Sequence, residues 1–402
     1  MKRRIIASCL IAGVLLLSAV AVRVVSQESK QQKTAQVEGF VVAPGKREFS
    51  PALLQQLRAP TGFRISVFAE PKGNARMMWT GDDGTIYLTR QEQGDVMMLR
   101  DADGDGRAEE MRAVASNLEL VHGITIFENK MYLVSPTKVW TADVRADGTI
   151  ATPRLIISDL PDGGQHRARQ IRVGPDRMLY IGVGSTCNDC DETNKENATI
   201  LRATLDGKTR TIYAKGLRHT IGFAWHPETK ELWGMDMGSD WKGNDMPPEE
   251  LNRIAENGDY GWPYCYGDRQ PDQITYRDPK GTTKEAYCSR TAAPALTYTA
   301  HSAPISLTFY TGRQFPSAYR NDAFVTMRGS WNRNPPSGYK VMRVRFENGK
   351  PARMEEFLTG FLLENGKAYF ARIAGLTVAR DGALLVSDDS NGVIYRVSHA
   401  GG

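Results

Sequence analysis

Four of the six histidines, His122, His166, His219 and His301, stand just upstream of a recurring strand-like phrase. Arg76, Arg169, Arg218 and Arg372 occupy matching places. A neutral imidazole accepts a proton near pH 7, and guanidinium groups pair bidentately with carboxylates. Such a set suits a general base beside a bound anion. The densest stretch is Gly164 to Gly182. There His166, Arg167 and Arg169 precede an alternating run, a Gly174-Pro175-Asp176 turn and a second run. His166 is the candidate base. One histidine at a strand start is most simply a satisfied polar residue, so the argument rests on the recurrence.

A second chemistry is suggested by carboxylates. Asp236, Asp240, Asp245, Glu249 and Glu250 crowd a segment rich in glycine and proline. Hard oxygen ligands and open backbone carbonyls suit Ca²⁺, and a solvated acidic loop is the plain alternative. Asp101, Asp103 and Asp105 alternate like the start of a calcium loop. Position twelve of that loop is Arg112, where a bidentate glutamate is required, so it is not an EF-hand. A weak calcium loop and an acidic turn both remain open there.

The elements that must position these groups recur along the chain. A turn followed by a short apolar strand appears at Asp83–Thr89, Glu128–Val134, Asp176–Gly182, Glu228–Gly234, Arg320–Thr326 and Asp381–Ser387. No amphipathic helix separates them. This pattern predicts an all-β fold, a six-bladed β-propeller, with a two-sheet sandwich as the alternative. Phe63–Phe68 and Val393–Val397 both alternate as strands, and their pairing would close the last blade and remove an edge. The histidines and arginines would then line one end of the central axis.

With 402 residues the chain is long for a single core, though closed all-β folds of this size stay one unit. The net charge of +5 is spread along the chain, which gives nucleic acid binding little support. Residues 1–25 begin Met-Lys-Arg-Arg and continue as an apolar run, predicting a signal peptide or an uncleaved anchor. Either reading makes the body exported, in the periplasm or beyond, and the anchor adds a membrane tether. Residues 26–48 are polar and unpatterned and are expected to be a flexible linker, leaving 49–402 as the folded domain. Cys187, Cys190, Cys265 and Cys288 remain in the body. In an exported chain they predict the local disulfides Cys187–Cys190 and Cys265–Cys288, with zinc as the alternative.

Three segments together resemble the glucose/sorbosone dehydrogenase family, the soluble sugar dehydrogenases that use pyrroloquinoline quinone (PQQ). They are His166 to Asp176, Gly216-Leu217-Arg218 to Pro227, and Glu250-Leu251-Asn252 to Pro263. Gly329-Ser330-Trp331-Asn332-Arg333 and Ser387-Asp388-Asp389 look like marks of its sorbosone-dehydrogenase-like branch. The resemblance spans nearly all of residues 62–397. It implies a six-bladed propeller with PQQ on the axis, beside Ca²⁺. His166 matches the general base, Arg218 the arginine that pairs with PQQ, and Gly238 and Ser239 the pair holding the cofactor's calcium. Glu250 and Tyr260 fall where the family has calcium ligands, with Asp240 in the same acidic segment. Arg328 and Arg372 fall near the groups that bind the carboxylates of PQQ. His122, His219 and His301 are expected around the cofactor and sugar. The chain departs from the family at His219, where an asparagine is usual, and at Met237-Gly238-Ser239, where the branch has Asn-Gly-Arg.

The expected activity is oxidation of a sugar, an aldose or a sorbosone-like compound, with electrons passed to an external acceptor. A calcium-dependent lactonase and a non-catalytic sugar- or partner-binding propeller are the alternatives. The absence of a CxxCH motif argues against a fused cytochrome. The 260–300 insertion is the expected source of substrate specificity.

Overall fold

A computed structural model describes Gly39 and residues 41–400 apart from Tyr276. The predicted signal peptide or anchor lies outside the described residues. Among the described residues no helix is long and apolar enough to cross a membrane.

The chain is mostly β. Six sheets of four or five strands follow one another, antiparallel except where Gly258–Asp259 joins Arg210–Lys215 in parallel. Their first strands are Ala75–Thr80, Gly123–Phe127, Gln170–Val173, Gly222–Trp225, Pro304–Phe309 and Ile373–Val378. These first strands touch in succession, and Ile373–Val378 packs against Ala75–Thr80. Glycine lets them approach closely. A Cβ on Gly375 would lie 2.2 Å from the Arg76 carbonyl, and one on Gly222 would lie 2.7 Å from the Leu307 amide. A side chain at either place would push two first strands apart.

Each predicted turn-strand phrase is the hairpin into a second strand: Ile86–Arg90, Lys130–Val134, Leu179–Val183, Leu232–Asp236, Ala323–Met327 and Leu384–Asp388. The hairpin turn carries a left-handed residue each time, namely Gly84, Asn129, Arg177, Lys230, Asn321 and Gly382. The second strands are buried on both faces rather than one, as the runs at 179–183, 323–327 and 384–388 show. Sheets pack against both faces, so these strands read as continuous apolar runs and not as strict alternation.

The predicted pairing of the chain's ends is present. Phe63–Ala69 runs antiparallel to Ile394–His399, with Phe63 opposite His399 and Val67 opposite Tyr395. Both disulfides form as expected, Cys187–Cys190 and Cys265–Cys288, which leaves no thiolates for zinc.

Two expectations need correction. The end of the supposed flexible linker is docked: Gly45–Lys46 pairs in parallel with Ala368–Tyr369, and the Val42 amide donates to the Trp331 carbonyl at 3.0 Å. An open backbone edge on the folded body gives this polar segment its partners. The 260–300 insertion holds the short helix Lys284–Cys288 and the Cys265–Cys288 bridge, but lines none of the large polar cavity described below. In the 101–110 loop, carboxylate oxygens of Asp101, Asp103, Asp105 and Glu109 lie within 4.8 Å of one another. Asp101 is committed there to the Gly104 and Gly106 amides.

Candidate active site

Residues at the starts of the first strands converge on one cavity of about 380 Å³. Arg76, Arg218, Arg328 and Arg372 line it, and so do His166, His219 and His301. Gly238, Asp240 and Glu249 complete its acidic side. Turns at the sheet ends bring residues distant in sequence together.

His166 is half-buried, and its partners fix its tautomer. Nδ1 lies 2.9 Å from the Ser185 carbonyl and 2.8 Å from Ser185 Oγ. The Ser185 hydroxyl donates to the Cys187 carbonyl at 2.8 Å. Both neighbours of Nδ1 therefore accept, so Nδ1 carries the hydrogen and Nε2 keeps its lone pair. Burial, then the nearby Arg218 charge, pushes the imidazole down to about 3. The imidazole is neutral at pH 7 as expected, but burial contributes more to its neutrality than the charges do. Arg167 is exposed and turned toward the Gly164 carbonyl. Arg169 is fully buried and spends its donors on the Pro136, Pro161 and His166 carbonyls. It braces the loop that carries the base and offers nothing to a ligand.

Three of the four guanidiniums share two carboxylates. Arg218 pairs with Asp240 at 3.0 Å. Asp389, itself buried, bridges Arg76 and Arg328, the latter at 2.7 Å. Arg372 makes no ion pair among the described residues; one terminal nitrogen donates to the Gly329 carbonyl at 2.5 Å. Burial, with Arg328 next to it, lowers its guanidinium to about 10. The Nε groups of Arg76 and Arg372 are buried without a partner. Four guanidiniums on the wall of one polar cavity, one of them with no ion pair among the described residues, mark a place for an anion.

The other histidines separate into two groups. His219 and His301 line the cavity; His219 stacks obliquely 4.7 Å from His166, and His301 Nε2 donates to the Gly243 carbonyl at 2.8 Å. His122 does not reach the cavity, contrary to expectation. It is fully buried behind Arg76, with Nδ1 donating to the Arg169 carbonyl and Nε2 accepting from Arg76 at 2.9 Å. Nothing in the sequence distinguishes a histidine that faces the axis from one that supports its neighbour.

The expected metal set is split. Gly238 and Asp240 face the large cavity, whereas Ser239, Glu250 and Tyr260 line an adjoining one of about 20 Å³, with Asp236 and again Gly238. Burial raises Asp236 to about 6, and Glu249 and Glu250 to about 8. Asn252 Oδ1, beside Glu250, is buried with no partner. The buried carboxylates of Asp236 and Glu250 around a space the size of one ion fit Ca²⁺. The Tyr260 hydroxyl does not join them: it donates to the Arg253 carbonyl and accepts from the Ala255 amide at 2.9 Å.

The family model described as TrAA12-like matches residues 57–400. The chain belongs to the TrAA12-like family. Beside other proteins, this TrAA12-like chain is 22% identical over 424 residues to a pyrroloquinoline quinone-dependent pyranose dehydrogenase of Coprinopsis cinerea. That match covers 90% of this chain and 57% of the relative's length. A solved holo form of the PQQ domain of pyranose dehydrogenase from the same organism superposes with a TM-score of 0.74 at 20% identity, covering 90% of this chain and all of that one. A calcium structure of a family AA12 enzyme of Trichoderma reesei also gives a TM-score of 0.74, at 19% identity, covering 91% and 99% of the two chains.

The residues of this TrAA12-like protein fit both implied groups: a wall of four guanidiniums, with Arg372 in no ion pair among the described residues, for an anionic cofactor, and buried oxygens for a divalent cation. Sequence reasoning missed several contributors. Asp389 lies 313 residues from the Arg76 it neutralises, and only its place in Ser387-Asp388-Asp389 drew attention to it. Glu249 accepts from the Gly238 and Ala303 amides and so ties the acidic segment to the His301 loop. Trp331 and Asn332 line the cavity as well; the sequence marked them only as part of Gly329-Ser330-Trp331-Asn332-Arg333, with no role attached.

Proposed function

We propose that this chain is a PQQ- and Ca²⁺-dependent dehydrogenase that oxidises a sugar, built on a six-bladed β-propeller over residues 49–402. The blades are the six consecutive sheets, and the succession of touching first strands supports a ring. The observation that carries the activity is the meeting of Arg76, Arg218, Arg328 and Arg372 with His166 in one cavity. Bound PQQ, an ortho-quinone with three carboxylates, supplies a two-electron hydride acceptor. Arg372, whose guanidinium has no ion pair among the described residues, would hold its carboxylates together with Arg76, and Arg218 and Arg328 would complete the cationic rim. Gly238, Ser239, Asp240 and Glu250 are the candidate calcium residues, with Asp236 added by the geometry. His219 and His301 orient the substrate from the wall beside His166.

His166 takes the proton from the substrate hydroxyl at Nε2. Ser185 holds the ring by Nδ1, so the lone pair keeps its direction. An anion among the arginines offsets the positive field that now depresses the imidazole, and so strengthens the base when the cofactor is in place. The exported setting and the external electron acceptor belong to the same reading.

The test is reconstitution of the full chain with PQQ and Ca²⁺, followed by a screen of aldoses, sorbosone and alcohols with an artificial electron-accepting dye. Sugar-dependent dye reduction that requires both additions is the expected result. Lactone opening without PQQ, with no dye reduction, would move the chain to the hydrolases.

A further inference from the structure

The cavity that holds His166 lies at the starts of the first strands, and a second cavity of about 370 Å³ lies at their far ends. Ala168, Ile221 and Ile305 line the first one; Arg172, Trp225 and Phe309, further along the same three stretches of chain, line the second. At about 3.3 Å per residue along a strand, four residues separate the two linings by roughly 13 Å. They share no residue.

The second lining is mostly apolar, and among the described residues Arg172 is its one charged group. Arg172 is 9% exposed and makes no ion pair among the described residues. One terminal nitrogen donates to the Ile124 carbonyl at 2.8 Å, and the guanidinium carbon stands 5.1 Å from the centroid of the Trp79 ring. A guanidinium carries five N–H groups, so most of its donors find no acceptor in the described residues. Arg169, equally buried on the same stretch, spends its donors on three carbonyls instead. Burial lowers the Arg172 guanidinium to about 10, and no carboxylate opposes that shift. A buried cation without a counter-charge is costly, and in a cavity with apolar walls it marks the place of an anionic group.

The walls are set before any ligand arrives. The Trp225 ring packs edge-on against Tyr180 at 4.8 Å, and Phe309 packs against His226 and Phe346 at 5.1 Å each. The hydroxyls of Thr80 and Thr377, both on the lining, lie 2.8 Å apart. Fixed apolar walls with a single charged group are the usual make-up of a small-molecule site, and pre-formed walls lower the entropy cost of binding.

We infer that this cavity is a second binding site, for a small monocarboxylate with an aromatic body, its carboxylate paired with Arg172 and its ring packed against Trp225 and Phe309. Nothing in the inference depends on the dehydrogenase reading above.

The experiment is calorimetric titration of the full chain, free of PQQ, with benzoate. Benzamide is the neutral analogue, and acetate keeps the charge without the ring. Wild-type protein should bind benzoate roughly tenfold or more tighter than either control, because the charged hydrogen bonds and the apolar contact are both needed. In Arg172→Met the affinity for benzoate should fall to that for benzamide. Arg172→Lys, which keeps the charge and loses the fork, should retain part of the preference, and Trp225→Leu should weaken benzoate binding. Arg372→Ala, which alters the other cavity, should bind benzoate within about twofold of wild type, as distant sites do. The second site is overturned by no saturable heat with benzoate, by equal affinity for benzoate and benzamide, or by loss of binding in Arg372→Ala. Undiminished affinity in Arg172→Met with the wild-type melting temperature overturns it as well. If Arg172→Met does not fold, Arg172→Lys and Trp225→Leu decide, and unchanged affinity in both refutes the site.

Discussion

Replacing His166 by asparagine removes one atom's function and keeps another's. The Asn Nδ2 occupies roughly the place of imidazole Nδ1 and can still donate to Ser185, which now holds the ring at 2.9 and 2.8 Å. No atom replaces the Nε2 lone pair. General-base catalysis is worth roughly a hundred- to ten-thousand-fold, so kcat should fall by that factor, about 3 to 5 kcal/mol in the barrier. The arginines that hold the cofactor are untouched, so PQQ binding followed by its absorbance should persist, and KM should change little. The imidazole's own titration gives a second check. Its folded value, near 3, lies below the ordinary 6.5. In PQQ-free protein the ring should therefore remain neutral from pH 5 to 8 by NMR. Because the unfolded chain takes up a proton that the folded state refuses, stability is intact above pH 6.5 and is lost as pH falls from there toward 3. Turnover within tenfold of wild type in His166→Asn, with bound cofactor shown spectroscopically, would refute the assignment of the base.

Other perturbations separate the remaining parts of the site. Arg372→Ala removes a guanidinium with no carboxylate partner, and loss of a charge-assisted pair should weaken PQQ binding by roughly ten- to a hundredfold in an absorbance titration. Asp389→Asn leaves Arg76 and Arg328 buried without their shared anion, which should cost about 3 to 5 kcal/mol in denaturant unfolding of the PQQ-free protein. An unchanged midpoint would show that water or relaxation replaces the bridge. Glu249 and Glu250 are raised to about 8 in the metal-free fold, so that state binds extra protons and loses stability as pH rises from 4.5 through 8. Chelation by EDTA should accordingly lower the melting temperature more at pH 8 than at pH 6, and an equal drop at both would disconnect these carboxylates from the metal.

The sheets were legible because strand and turn leave a local record. A left-handed residue such as Asn129 or Gly382 must precede each second strand, and six repetitions of that phrase marked all six sheets. The pairing of Phe63–Ala69 with Ile394–His399 was equally readable, since both segments alternate. The site was legible only in outline. Arg218, His219, Arg328 and Arg372 do face one cavity, yet His122 stands one layer behind Arg76, and Arg169 is consumed by carbonyls. Residue type and a place at a strand start do not encode side-chain direction. Partnerships across hundreds of residues, such as Asp389 with Arg76, leave no local trace. Length drew attention to 260–300, yet that insertion does not line the large cavity, whereas Trp331 and Asn332 do.

The meeting of the first and last long strands has a temporal consequence. During synthesis Phe63–Ala69 emerges early, but its hydrogen-bonding partner Ile394–His399 follows only after all the intervening sheets. Until then an apolar edge stays open, a template for pairing with other chains. Assembly of this fold is therefore expected to finish only once Ile394–His399 has emerged, and deletion of that strand should give a chain that aggregates rather than folds.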